Sequence, residues 1–217
     1  MKLYEPVQKR FFLFLAAFCL SILLFLFSLQ IFLYNPRYYD HQYAVNGVYQ
    51  QLGYDQTWNA TSELWNYMQF RSEFTSPFFS SRDQLHMVDV RLLFLHLNYV
   101  LYVSVIILLV TLLYQYTFHR KEFVFFVFDL LYSSSSLSFF FIVFFLLLGV
   151  FFDYSFALFH RLFFSNNYWL LDPAVDKLVV LYPEAFFQNI FFCIILVAFL
   201  LSGLMFWLSF HVQKKYL

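Results

Sequence analysis

His86 and His160 are the residues of this chain best suited to chemistry. An imidazole, with an ordinary pKa of about 6.5, takes up and returns a proton at neutral pH. His86 lies in SRDQLHMVDV (81–90), just before one long apolar stretch. His160 stands at the head of FHRLFFSNNYWLLDPAVDKLVVLYPEAFF (159–187), just after the next. Two apolar segments separate the histidines, so the chain returns to the side it left and both rings face one water–membrane boundary. A base and an acid placed there suit acyl transfer on a lipid. Arg82, His86 and Asp89 recur at helical spacing on one face. Asp172, Asp176 and Glu184 follow His160 and can orient or charge-stabilise imidazoles.

The elements that position these residues are apolar helices. The 217 residues are 62% hydrophobic and 26% aromatic, with a mean hydropathy of +0.67. Soluble domains hold only about 45–50% apolar residues. Four segments, 11–34, 92–117, 137–159 and 188–210, exceed the ~20 residues that cross a hydrocarbon core. Backbone groups find no water there, so the segments must be helices. The expectation is an all-α integral membrane protein, a single membrane domain over 1–217. Its four transmembrane helices would carry a small helical extracytoplasmic cap made from 35–91 and 160–187. Segment 11–34 exceeds a signal-peptide core and lacks a small-residue cleavage site after it, so it reads as a retained anchor. Seven basic residues (Lys2, Lys9, Arg10, Arg120, Lys121, Lys214, Lys215) fall on one side. Six (Arg37, Arg71, Arg82, Arg91, Arg161, Lys177) fall on the other. That bias favours cytoplasmic termini and places both histidines outside.

Local signals refine the layout. Asn35-Pro36 closes the first span. Residues 61–70 read as a short helix capped by Thr61 or Ser62, within a Tyr- and Trp-rich stretch suited to the headgroup layer. Ser81 and Gln84 match a capping box, which starts a helix that runs into the second span and holds His86 about 9 Å above Leu92. Segment 123–132 fits either a surface helix or an extension of span three, and Ser133–Ser136 read as capping or solvated. His96 and Asp153 fall inside spans two and three, where an ionisable group serves function or an interhelical hydrogen bond. Cys19 and Cys193 lie within spans and read as packing, not redox chemistry.

Several chemistries lack their motifs. There is no Gly-x-Ser-x-Gly elbow, no Gly-rich phosphate loop and no His-Glu-x-x-His. No cofactor, metal or nucleic-acid partner is expected. Three readings stay open on residue types alone: an acid–base acyltransferase, a zinc-dependent membrane lipid hydrolase using the histidines with Asp89 or Asp172, and a non-enzymatic accessory or immunity protein.

The pattern Phe-Ser-x-Arg-Asp-x-x-His-Met-x-Asp-Val (79–90) continues as Phe159-His160, Asn166, Trp169, Asp172-Pro173, Asp176, Pro183-Glu184 and Phe186-Phe187. It resembles the lipoprotein intramolecular transacylase (Lit) family of Gram-positive bacteria. The resemblance implies four transmembrane helices under an outer cap with two catalytic histidines, here His86 and His160, in the bacterial plasma membrane. It implies a diacylated lipoprotein as substrate, with the sn-2 acyl chain moving to the α-amine of the lipid-modified N-terminal cysteine to give the lyso form. No enzyme-bound acyl group is then required. Asp89 would hold the His86 tautomer, and Arg82, Asn166 or Trp169 would serve the oxyanion.

Overall fold

A computed structural model describes the backbone of residues 4–216 and the side chains of 7–211. The described residues are helical, in nine elements without strands. Helices α1 (Tyr4–Leu33), α5 (Ser81–Phe118), α6 (Phe123–Val150) and α9 (Glu184–Tyr216) are the long ones. Short helices fill the intervals: α2 (Pro36–Val45), α3 (Val48–Leu52), α4 (Tyr54–Met68), α7 (Phe152–Phe163) and α8 (Leu178–Leu181). Four helices are long and apolar enough to cross a membrane: Val7–Leu33, Ser81–Phe118, Phe123–Val150 and Glu184–His211.

The chain divides into two compact units. One gathers segments within Met1–Gln30, Asn98–Leu147 and Cys193–Leu217; the other gathers Ile31–Leu97 and Leu148–Phe192. In the first unit, Ala16 and Ala17 of α1 bury against Phe126 and Leu130 of α6. Small residues let helix backbones approach closely where no hydrophobic drive exists between apolar surfaces in lipid. Ser21 of α1 donates across to the carbonyl of Ser134 at 3.0 Å. The serine run therefore sits in the middle of α6 rather than at a cap, with Ser134 and Ser135 fully buried and Ser136 exposed. The same finding settles segment 123–132, which is the first part of α6. Lys9 and Glu122 form an ion pair.

The second unit has an aromatic core. Tyr39 and Tyr43 of α2, Leu64 and Tyr67 of α4, Tyr182 and Phe186 are all buried in one cluster. Tyr39 meets Trp65 and Phe186 edge-on, with centroids 5.0 and 5.1 Å apart, the favoured geometry for ring quadrupoles. Two of the phenols are bonded inside: Tyr39 donates to the Leu33 carbonyl at 2.8 Å, and the Tyr43 and Thr61 hydroxyls lie 2.6 Å apart. Burial pushes the Tyr182 phenol well above its ordinary range, so it stays neutral in that cluster. Asn189 donates to buried Gln42 at 2.9 Å, joining α9 to α2.

Helix boundaries differ from the sequence expectation where two signals compete. Asn35 accepts hydrogen bonds from the N–H groups of Arg37 and Tyr38, so Asn35-Pro36 both ends α1 and begins α2. Helix α4 starts at Tyr54 rather than at Thr61 or Ser62; Thr61, instead of capping, turns inward and donates back to the Thr57 carbonyl. The helix expected over 137–159 ends at Val150, and a new one begins after Phe151. Gly149 sits at that break. A Cβ there would lie 2.9 Å from the Phe192 ring of α9 and would have to push that ring aside.

Candidate functional site

Every residue of the site belongs to the second unit. His86 stands in the second turn of α5, and its place depends on how that helix begins. Ser80 Oγ accepts from the Asp83 N–H, and Asp83 Oδ2 accepts from the Ser80 N–H, each at 3.0 Å. That is a reciprocal capping box, one residue earlier than the Ser81–Gln84 pair. Both registers fit the sequence. The earlier one prevails because Asp83 Oδ2 also accepts the backbone N–H of Lys177 at 3.0 Å, while Gln84 instead reaches the carbonyls of Ser76 and Phe79. Asp83 is fully buried. Composition gave no hint of this carboxylate; the Ser-x-x-Asp spacing could have found it.

The 172–177 loop is pinned to the same helix start. Ser80 Oγ donates to Asp176 Oδ1 at 2.6 Å, and Asp176 Oδ2 accepts from the Asp172 N–H at 2.8 Å. Asp172 Oδ1 accepts from the Ala174 N–H. Asp172 and Asp176 therefore fold the loop and tie it to α5; their carboxylates are not aimed at an imidazole.

His160 lies in the last turn of α7. Its ring centroid is 5.9 Å from that of His86, with the planes tilted by 35°. Both side chains are about 93% buried, each leaving 7% exposed. Aromatic residues wall the pair: Trp169 stacks on His160 at 4.9 Å, Phe156 meets it edge-on at 4.4 Å, and Phe164 meets His86 edge-on at 5.3 Å. His160 Nδ1 lies 2.7 Å from the Phe156 carbonyl oxygen. A carbonyl only accepts, so Nδ1 carries the hydrogen and Nε2 keeps the lone pair. His86 Nδ1 is buried without a hydrogen-bond partner among the described residues.

Burial lowers the His160 pKa below its ordinary value, and the Phe156 hydrogen bond opposes this only partly. The neutral ring is therefore the favoured form at pH 6.5. Nitrogen-15 spectra of histidine-labelled protein are expected to show the neutral Nδ1–H tautomer of His160 at pH 6.5, protonating only in more acidic solution. An imidazolium still present at pH 7 would contradict this.

The remaining expected residues fall around the pair. Asn166 Nδ2 donates to Asp89 Oδ2 at 2.8 Å, so Asp89 holds the loop rather than the His86 tautomer. Helical spacing put Asp89 near the ring, but the short carboxylate is engaged by the amide that reaches it from the loop. The Trp169 indole N–H donates to the Asn166 carbonyl at 3.1 Å, and Arg82 Nη1 donates to the Leu170 carbonyl at 3.0 Å. Of the three oxyanion candidates, Trp169 has spent its single donor and contributes a stacking face. Arg82 and Asn166 retain further N–H groups.

Glu184 opens α9 beside Asp153, and both are exposed. Asp153 lies in the first turn of α7, outside the long helix in which the sequence placed it. His96 is exposed on α5 and bonds its own helix, Nδ1 to the Leu92 carbonyl at 2.7 Å, with no interhelical bond among the described residues. Among the described residues no three His, Cys, Asp or Glu side chains converge as metal ligands would. Phe156 and Phe164, which seat the two rings, were missed, since nothing distinguishes them among 35 phenylalanines. The i−4 spacing of Phe156 from His160 was the available signal.

Four apolar helices and a buried, aromatic-walled pair of imidazoles define an integral-membrane protein with two histidines held side by side. The chain matches the model of the family described as lipoprotein intramolecular transacylase Lit over residues 14–187, and it belongs to that family of acyltransferases. Among solved structures it is similar to the membrane-integral lipoprotein intramolecular transacylase Lit from Bacillus cereus. The identity is 24%, covering 97% of this chain and 98% of that one, with a TM-score of 0.81. Two variants of the Bacillus cereus protein are also similar. One, with a histidine replaced by arginine, is 21% identical over 98% and 95% of the chains, with a TM-score of 0.79. The other, with a histidine replaced by alanine, is 23% identical over 100% and 99%, with a TM-score of 0.75. No curated protein matches the chain.

Proposed function

We propose that the protein takes a diacylated bacterial lipoprotein and moves the sn-2 acyl chain of its diacylglyceryl group to the α-amine of the same cysteine, using His86 and His160 as acid and base. The juxtaposition of two buried imidazoles in a chain of this family supports the reading. An α-amine has a pKa of about 7.7–8.0, so a neutral base beside it has work to do at physiological pH. His160 Nε2, with its lone pair free, takes the proton as nitrogen attacks the ester carbonyl. The C–N bond forms, the C–O bond breaks, and the departing glyceryl oxygen receives a proton through His86. One proton leaves nitrogen and one reaches oxygen, so the balance is zero. Amine and ester share one molecule, and a bound geometry that brings them together removes much of the entropic barrier. No acyl-enzyme is needed. Arg82 and Asn166 are the donors available to the carbonyl oxygen as it becomes negative.

In this reading the imidazole pair is reached from the outer face of the plasma membrane, which the four long helices span. Mass spectrometry of lipoprotein N-termini from cells with and without the chain tests the function. The expected product has one acyl chain on the amine and one on glycerol. Unchanged lipoprotein mass, or a lyso product with free fatty acid released, would contradict it.

A further inference from the structure

A groove of about 450 Å³ runs along a second face of α5, lined by Glu73, Ser81, Gln84, Leu85, Val88 and Arg91 among others. The α5 members recur at helical spacing, about a third of a turn from the Arg82–His86–Asp89 stripe, so this is not the imidazole site. Its centre of charge is Arg91. The guanidinium carbon sits 4.2 Å over the ring of Tyr67 and 3.7 Å over that of Phe70. Phe70 has a φ of +59°, the only positive value for a non-glycine among the described residues, a conformation that costs on the order of 1–3 kcal/mol.

Stacking engages the flat faces of a guanidinium and leaves its edge, where the N–H donors lie. Arg91 has no ion pair among the described residues, and its buried Nε has no hydrogen-bond partner. An acceptor brought into the groove by a ligand would engage the terminal N–H groups of the guanidinium. The register of α5 sets the depth: after Arg91 no Lys, Arg, Asp or Glu occurs until Arg120. A charge at the edge of such a run lies at the headgroup layer. Leu85 and Val88 are each 46% exposed along the same groove, which also carries the carboxylate of Glu73.

We propose that this groove binds a zwitterionic phospholipid bearing a primary amine, with the Arg91 edge on the phosphate, Glu73 on the ammonium, and Leu85 and Val88 against the first carbons of the acyl chains. Arginine matches phosphate oxygens bidentately. Glu73 selects against a purely anionic headgroup, which would meet a like charge. The proposal does not rest on the acyl-transfer reading, and its test uses no activity.

Intact protein in micelles containing equal amounts of phosphatidylethanolamine and phosphatidylglycerol is examined by native mass spectrometry for retained lipid. Wild-type protein is expected to retain phosphatidylethanolamine in preference. R91Q is expected to lose retention about tenfold, the value of one charge-assisted hydrogen bond. E73Q, at an exposed position, is expected to keep binding and lose the preference. The proposal is overturned if phosphatidylglycerol is preferred, if folded R91Q retains lipid as wild type does, or if a lipid-free peptide displaces the lipid. Should R91Q fail to fold, an unchanged preference in E73Q overturns it alone.

Discussion

Replacing His86 or His160 by alanine is expected to slow formation of lyso-form lipoprotein by about 10²–10⁴-fold, the range over which a positioned acid or base acts. The loss should appear in kcat, because a proton carrier acts on the transition state more than on binding. His160 also packs on Trp169 and Phe156, so alanine removes a stacking partner along with the proton acceptor. His160→Phe separates the two, since it keeps an aromatic plane on the Trp169 face and has no lone pair. It should be as inactive as the alanine variant while more stable to heat than it, short of wild type by the lost Nδ1–Phe156 hydrogen bond. Activity of His160→Phe close to that of wild type would assign His160 a packing role only.

The second large effect concerns a residue that touches no imidazole. Asp83 is fully buried and accepts two backbone N–H groups, from Ser80 at the start of α5 and from Lys177 in the loop after His160. Asp83→Ala leaves both donors without their acceptor and removes the helix cap. The expected loss is about 2 kcal/mol of stability, with turnover falling because α5 and the 172–177 loop lose their shared anchor. Asp83→Asn keeps one carbonyl oxygen in place and should recover most of both. Detergent-solubilised protein followed by thermal unfolding reads the stability. An Asp83→Ala protein as stable and as active as wild type would show that the 172–177 loop is held from elsewhere.

The parts of this molecule legible in its residues are those governed by strong, periodic signals. Apolar length makes α1, α5, α6 and α9 visible, and the two histidines stand out because so few polar groups neighbour such runs. What escaped detection depends on choices between near-equal local options. Ser80–Asp83 and Ser81–Gln84 are both acceptable capping boxes, and only the N–H of Lys177, 94 residues on, decides between them. The start of α4 was obscured because Thr61, a good cap in isolation, buries its hydroxyl against its own helix. Asp89 misled for a related reason. Spacing places it beside His86, but whether it bonds that ring or Asn166 depends on where a distant loop puts an amide. Ser133–Ser136 read as polar, although in the middle of an apolar helix small side chains serve close packing first.

That His86 and His160 act as one unit is tested most directly by comparing His86→Ala, His160→Ala and the double variant for turnover of a synthetic diacylglyceryl lipopeptide. If one proton passes between the rings in a single step, each single variant should lose nearly all that the double variant loses. Losses that multiply in the double variant, or either single variant retaining wild-type turnover, would contradict a shared relay.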